Sequence, residues 1–377
     1  MATTKYWIKE SEANEKTKAP PLITFGGPGL KCSVAPSKGA NLTSYAVEEP
    51  SGSGDWLEML YRGNDFSTTM GWDGKSPVLF PAVGRNFTSE QIALAKRAAG
   101  SEGKVTPPGR CRYTVGLSDG EKKDIPLHGF ARDMACWKVT ERSVNEEGVS
   151  VGLMLDASDL PSEVQAMYPF RFVMHLNYRI TEQDGLILDM VVENRQMDDD
   201  NSLFLPFSFG THPTFKLPFV KKNLDWSEAY LVSTNTVNLH LDSFSCLTGE
   251  SNDLSVTGIE EKRRAAESVH LPVRSYCDNV MGKATPYLDL PHAKTTLVSP
   301  QEKMRMTVTQ TLLDEASFGI HAKDLYMVYW GEESKQFICV EPWMGGPNSL
   351  NTGQGAVMLK NGESFRMRHS YVFERYE

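Results

Sequence analysis

The chain reads as all-β: a large antiparallel β-sandwich with few short helices. Three observations carry this. Period-two alternation of apolar residues dominates the 377 residues, the alternating runs come in pairs joined by short turns, and helical periodicity is scarce. Many strands with short turns indicate antiparallel sheets stacked face to face.

Along the chain, the first strands are expected at 30–35 and 55–61. The best helix follows at 88–100, "TSEQIALAKRAAG", where Thr88 and Gln91 are spaced as a capping box and Gly100 supplies a stop. A strand is expected at 111–117. Trp137 and Val139 then lead through "NEEG" to Val149, Val151, Leu153 and Leu155, which reads as a hairpin. The clearest pairing runs from Phe170, Phe172, Met174, Leu176, Tyr178 and Ile180 through "EQDG" to Leu186, Leu188, Met190 and Val192. "LFLPFSFGTHPTF", 203–215, starts as an alternating strand with Leu203, Leu205, Phe207 and Phe209 on one face. It then breaks at Gly210 and places His212 before Pro213. Further strands are expected at 230–241, 304–313, 325–330, 336–341 and 364–375, and a polar helix at 258–268.

With 40% hydrophobic and 23% charged residues the composition is that of a soluble globular protein. No linker, composition shift or internal repeat divides it, so one domain over 1–377 is expected. The net charge of −9 argues against nucleic acid and anionic membrane as partners, since both need a basic face. A small ligand fits better. No apolar run of about 18 residues occurs and the N-terminus is polar, which predicts no membrane span, no secretory signal and a cytoplasmic protein. Cys32, Cys111, Cys136, Cys246, Cys277 and Cys339 lie far apart without a C-x-x-C pair and read as reduced core residues, not disulfides or zinc ligands.

Four segments place an ionisable residue at the end of an apolar run: "SPVLFPAVGRN", "LHGFARD", "FGTHPTF" and "ICVEPWMGGPN". The residues are Arg85, His128 with Arg132, His212 and Glu341. Strand ends and the loops after them are where sandwiches display binding groups. Each residue also has a plain structural reading, as a surface arginine, a satisfied turn histidine or a rim carboxylate. His212 is harder to explain that way, because Gly210 and Pro213 fix its backbone and Phe215 walls it in. Glu341 is awkward too, because a half-buried carboxylate between apolar residues and Trp343 costs several kcal/mol unless paired or used.

Together, and in order, these segments resemble the aldose 1-epimerase (galactose mutarotase-like) superfamily, most closely its bacterial LacX-like branch. "HGFARD", "HPTF" and "EPW" are similar to its histidine-glycine, histidine-proline and glutamate-proline-tryptophan signatures, and "SPVLFPAVGR" and "YPFRF" match as well. The resemblance implies a galactose mutarotase-like supersandwich with a sugar site on a concave sheet face. It also implies His212 as general acid, Glu341 as general base, and Arg85 and His128 as holders of sugar hydroxyls. Mutarotation takes the proton from the anomeric hydroxyl, protonates the ring oxygen and recloses the ring on the other face. A carboxylate and an imidazole suit those tasks, each contributing about 10²–10⁴ in rate. No cofactor or metal is expected.

The substrate-binding aspartate lacks a clean motif. "RSYCDNVMGKATPYLDLPH" offers Asp278 and Asp289, of which Asp278 is preferred. Trp343 either stacks on a sugar face or simply packs. Thr214 departs from the family pattern beside the acid, and residues 87–110 look like an insertion able to cover the site. Arg132 reads either as a phosphate holder, as in related hexose-6-phosphate 1-epimerases, or as a partner of Asp133. The expected function is therefore a mutarotase for a free hexose or similar aldose, as monomer or homodimer. The alternatives are a hexose-6-phosphate 1-epimerase, or a non-catalytic or repurposed carbohydrate-binding protein on the same fold.

Overall fold

The computed structural model describes all residues except 1–4, 17, 50–53, 63–65, 67–72, 100–104, 119, 197–203, 223, 255–267, 284–290 and 315–323. Its centre is a nine-stranded antiparallel sheet. In spatial order the strands are Val269–Pro272, Tyr230–Ser233, His292–Ser299, Met304–Leu312, Ser364–Arg375, Gly185–Asn194, Phe172–Thr181, Gly148–Asp156 and Lys138–Val144. The pairing expected from sequence holds its register, with Tyr178 opposite Leu188 and Ile180 opposite Leu186. Phe172, Met174, Leu176, Tyr178 and Ile180 are buried, while the residues between them are only partly so, as period two requires.

Two further sheets cover the apolar face of this one. The N-terminal five strands, from Trp7–Ser11 to Trp56–Glu58, lie against the half containing Gly148–Asp156 and Phe172–Thr181. The other half, around His292–Ser299 and Met304–Leu312, meets an eight-stranded sheet. That sheet runs Leu247–Asp253, Val237–Leu241, Asp278–Gly282, Leu325–Glu332, Phe337–Met344, Phe209–Thr211 and Val78–Leu79, with Thr214–Lys216 also pairing to Phe337–Met344. One hydrophobic cluster, from Tyr6 to Tyr371, runs between these layers. The chain is thus a mostly-β sandwich of antiparallel sheets, 51% strand and 12% helix.

Several expectations need correction. The strand expected at 203–209 is two strands: Leu205–Phe207 pairs with Val357–Leu359, and Phe209–Thr211 joins the eight-stranded sheet. Every residue from 205 to 211 is buried, so alternation is absent, and Leu203 lies outside the described residues. Ser208 marks the switch, its hydroxyl accepting from the Val83 N–H at 3.0 Å. The strand also continues through Gly210, where a Cβ would sit 2.7 Å from Cδ1 of Trp343. The 230–241 candidate splits at Thr234–Thr236 into strands of different sheets, and 111–117 shortens to Cys111–Tyr113. The helix forms at Ser89–Ala99 with its capping box, Thr88 N–H to Gln91 at 3.1 Å and Gln91 N–H to Thr88 at 3.3 Å. Nearly all of the 258–268 helix candidate lies outside the described residues.

A buried polar link ties the nine-stranded sheet to the strand Phe209–Thr211, which leads into His212. The Thr211 hydroxyl lies 3.0 Å from His369 Nδ1 and 2.8 Å from the Tyr371 hydroxyl. Burial lowers the His369 pKa to about 3. The unfolded chain therefore takes up a proton below pH ~6.5 that the folded one refuses, and stability present above that pH is lost as pH falls toward 3. His369→Gln should flatten the decline in urea stability between pH 6.5 and 4 by up to about 1.4 kcal/mol per pH unit. Parallel declines in the two proteins would show that His369 is not responsible.

Candidate active site

The site is built on the strand Phe337–Met344. On one edge it pairs with Leu325–Glu332. Its other edge takes Phe209 opposite Met344 and Gly210 opposite Trp343, then Thr214, Phe215 and Lys216 opposite Cys339, Ile338 and Phe337. The ladder is interrupted in between, where Pro213 and Pro342 have no N–H to give, yet the register is the same on both sides of the gap. His212 therefore lies directly across from Glu341. Its own N–H bonds outward to the Pro77 carbonyl at 3.0 Å.

The two side chains meet, with His212 Nε2 3.2 Å from Glu341 Oε1. Glu341 is 1% exposed, and its other oxygen accepts from Trp343 Nε1–H at 3.1 Å. Burial pushes the Glu341 carboxyl well above its ordinary range, and the Trp343 bond offsets part of that. Burial lowers His212 to about 4, partly offset by a bond to its own backbone. Both directions favour a pair that carries one proton in total and no net charge.

A cleft of about 1490 Å³ opens over the pair, and Arg85, His128, Arg132, Asp278 and Trp343 all line it. The structure thus brings together every residue singled out from the sequence; Asp289 lies outside the described residues. His128 and Gly129 adopt left-handed backbone angles, φ 64° and 73°, and a Cβ on Gly129 would fall 2.2 Å from the Phe80 carbonyl oxygen. This tight turn, held by Phe130 and Ala131 N–H groups on that same carbonyl, aims the histidine into the cleft. His128 Nδ1 accepts from the Gly84 N–H at 3.1 Å, so its proton sits on Nε2. Burial, then His212, Arg132 and Arg85, hold it well below the usual histidine range and keep it neutral. Its ring stands edge-on to His212 and Trp343, at 5.4 and 5.6 Å.

Arg132 is 7% exposed. Its Nε lies 3.4 Å from Asp133, and burial lowers its pKa to about 10 despite that partner. Arg85 is half-buried beside it, near enough that both cations depress the Cys111 thiol pKa, which burial raises overall. Asp278 is an exposed rim residue opposite Trp330. Trp343 packs with Leu79, Val83, Val280, Tyr326 and Val328, so in this structure it supports Glu341 from below. Pro107, Pro108, Gly109 and Arg110, the end of the 87–110 segment, form part of the wall.

Sequence reasoning missed Trp330. It is 47% exposed, lines the cleft, and lies 6.3 Å from the His212 ring and 5.2 Å from Phe337. Its signal was its place in a strand hairpinned to the "EPW" strand.

The family model described as aldose 1-epimerase matches residues 111–371, which hold every site residue but Arg85. No curated protein matches the chain in sequence. Among solved structures, a galactose mutarotase-like protein from Clostridium acetobutylicum superposes with a TM-score of 0.66 at 18% identity, covering 99% of each chain. A galactose mutarotase related enzyme from Lactobacillus acidophilus gives 0.61 at 18%, covering 94% of this chain and 97% of that one. Galactose 1-epimerase from Lactobacillus acidophilus NCFM gives 0.57 at 16%, over 100% of both. At such identities the likeness is one of fold. With the matching family model spanning well over half of its length, the chain belongs to the aldose 1-epimerase family.

Proposed function

We propose that the protein is a cytoplasmic aldose 1-epimerase, a single-domain enzyme over 1–377, monomer or homodimer, that interconverts the anomers of a free hexose or similar aldose without a cofactor. The observation that carries this reading is the buried contact between His212 and Glu341 on the floor of the cleft. The anomeric hydroxyl and the ring oxygen share one carbon, so the groups that serve them must be neighbours. Glu341 takes the hydroxyl proton and His212 gives one to the ring oxygen; rotation of the freed carbonyl and reversal of the two transfers complete the cycle. The resting neutral pair and the reactive carboxylate–imidazolium pair differ only in where one proton sits along a 3.2 Å contact. His128 Nε2–H, Arg85, Arg132 and Asp278 supply donors and an acceptor for hydroxyls, and Trp330 offers an apolar face to the sugar ring.

Hexose 6-phosphate is the second reading. Two neighbouring cations, Arg85 and Arg132, line the cleft, and its volume exceeds the roughly 300–1,000 Å³ that encloses a drug-sized ligand. A monosaccharide leaves room for a phosphate.

Glu341→Gln and His212→Asn should each slow mutarotation by at least about two orders of magnitude, with circular dichroism unchanged. Wild-type rates equal to buffer across hexoses and pentoses would favour a sugar-binding protein without turnover. The pH profile gives a second test. Only the one-proton pair holds both an acid and a base, and His212 gains a second proton near pH 4. On the acid side, polarimetric kcat should fall only near that pH; a fall centred near 6.5 would place His212 in a water-like environment. Finally, Arg132→Ala should impair turnover of glucose 6-phosphate at least tenfold more than that of glucose. Equal effects would rule out a phosphate role.

A further inference from the structure

We propose that His212, Cys339 and Glu341 form a binding site for a divalent cation of the zinc class, and that its occupancy silences the acid/base pair. Alternation puts Cys339 on the same side of Phe337–Met344 as Glu341. The shared register sets Cys339 opposite Thr214, two places from the His212–Glu341 pair. One ligand atom from each of the three residues lies within 4.8 Å of the other two, and among the described residues no other such trio comes together. A tetrahedral zinc ion with nitrogen, oxygen and sulfur donors needs ligand atoms about 3.3–3.6 Å apart. The His212–Glu341 edge, at 3.2 Å, is already close to that, and the sulfur edges, within 4.8 Å, have to close by at most about 1.2 Å.

The chemistry of the donors selects the ion. Imidazole, thiolate and carboxylate together suit zinc, cobalt or cadmium, not magnesium or calcium, which take oxygen. Binding releases two protons, one from the Cys339 thiol and one from the histidine–glutamate pair. The thiolate and carboxylate left behind cancel the charge of a divalent ion, so the buried site ends neutral. Trp343 already holds Glu341 Oε2 and leaves Oε1 for the metal, as outer hydrogen bonds do around zinc ligands. His212 and Glu341 line the cleft while Cys339 lies buried behind them, so a water from the cleft would complete the tetrahedron. An ion there occupies the lone pairs of both His212 and Glu341, leaving neither base nor acid for a sugar.

The test uses zinc and cobalt salts with the full-length protein and a Cys339→Ser variant. Equilibrium dialysis should give one zinc per chain, with affinity rising as pH rises because protons are released. Cobalt-loaded wild type should show thiolate-to-cobalt charge-transfer absorption. Cys339→Ser should lose that absorption and bind zinc at least tenfold more weakly. Anomerisation should be inhibited by zinc and restored by a chelator. Absence of the cobalt–thiolate band in wild type, or unchanged zinc affinity in Cys339→Ser, overturns the site. The band needs only folded wild-type protein and no turnover, so a chain that shows it without mutarotase activity keeps this site while refuting the proposed enzyme.

Discussion

Everything at the floor of the cleft depends on one strand register. The segment from Phe209 to Lys216 runs beside Met344 to Phe337 without gaining or losing a residue, although Pro213 and Pro342 remove two amide donors from its middle. A slip by one place would turn every side chain to the other face and part His212 from Glu341. The apolar residues on either side prevent it. Phe209 and Phe215 are fixed in the core below, Trp343 fills the space that Gly210 leaves, and Thr211 is bonded to His369 and Tyr371 of the sheet beneath. The sandwich core is thus also what aligns His212 with Glu341.

That alignment comes with burial, and burial sets the chemistry. A carboxyl and an imidazole apart in such a place would each be forced neutral. Set 3.2 Å apart they exchange a proton without separating charge over any distance. The surroundings add polarity without competing for that proton. His128 is held neutral by Gly84 and by its own burial, and Arg132 stays cationic because even its lowered pKa is about 10. The histidines and arginines of three separate segments converge because their backbones interlock: His128 N–H bonds the Gly84 carbonyl, and His212 N–H bonds the Pro77 carbonyl.

Much of this was legible in the sequence where a short-range rule applied. The Phe172–Thr181 hairpin, the capped helix and the strand Ser364–Arg375 follow from alternation and turn chemistry alone. The members of the site were legible too, because charged groups among apolar residues need a reason to be there. What the sequence concealed was whatever depends on two distant segments at once. The switch of sheets at Ser208 leaves no mark, since both faces of 205–211 are buried. The continuation of the strand through Gly210 reflects a tryptophan more than a hundred residues away. Trp330 carries no charge and no motif, and only its partner strand shows that it borders the cleft. Cys339 read as plain core, and its position beside the pair appears only once the register is known.

The central claim is that His212 and Glu341 act as one unit on an anomeric centre. The direct measurement is a double-mutant cycle on the anomer exchange rate, read by magnetisation transfer between the α and β signals of a hexose, for wild type, His212→Asn, Glu341→Gln and the double variant. If the pair is a unit, removing the second member after the first costs almost nothing, and the double variant exchanges as fast as the slower single one. Losses that multiply would mean two independent contributions and would contradict a shared-proton pair.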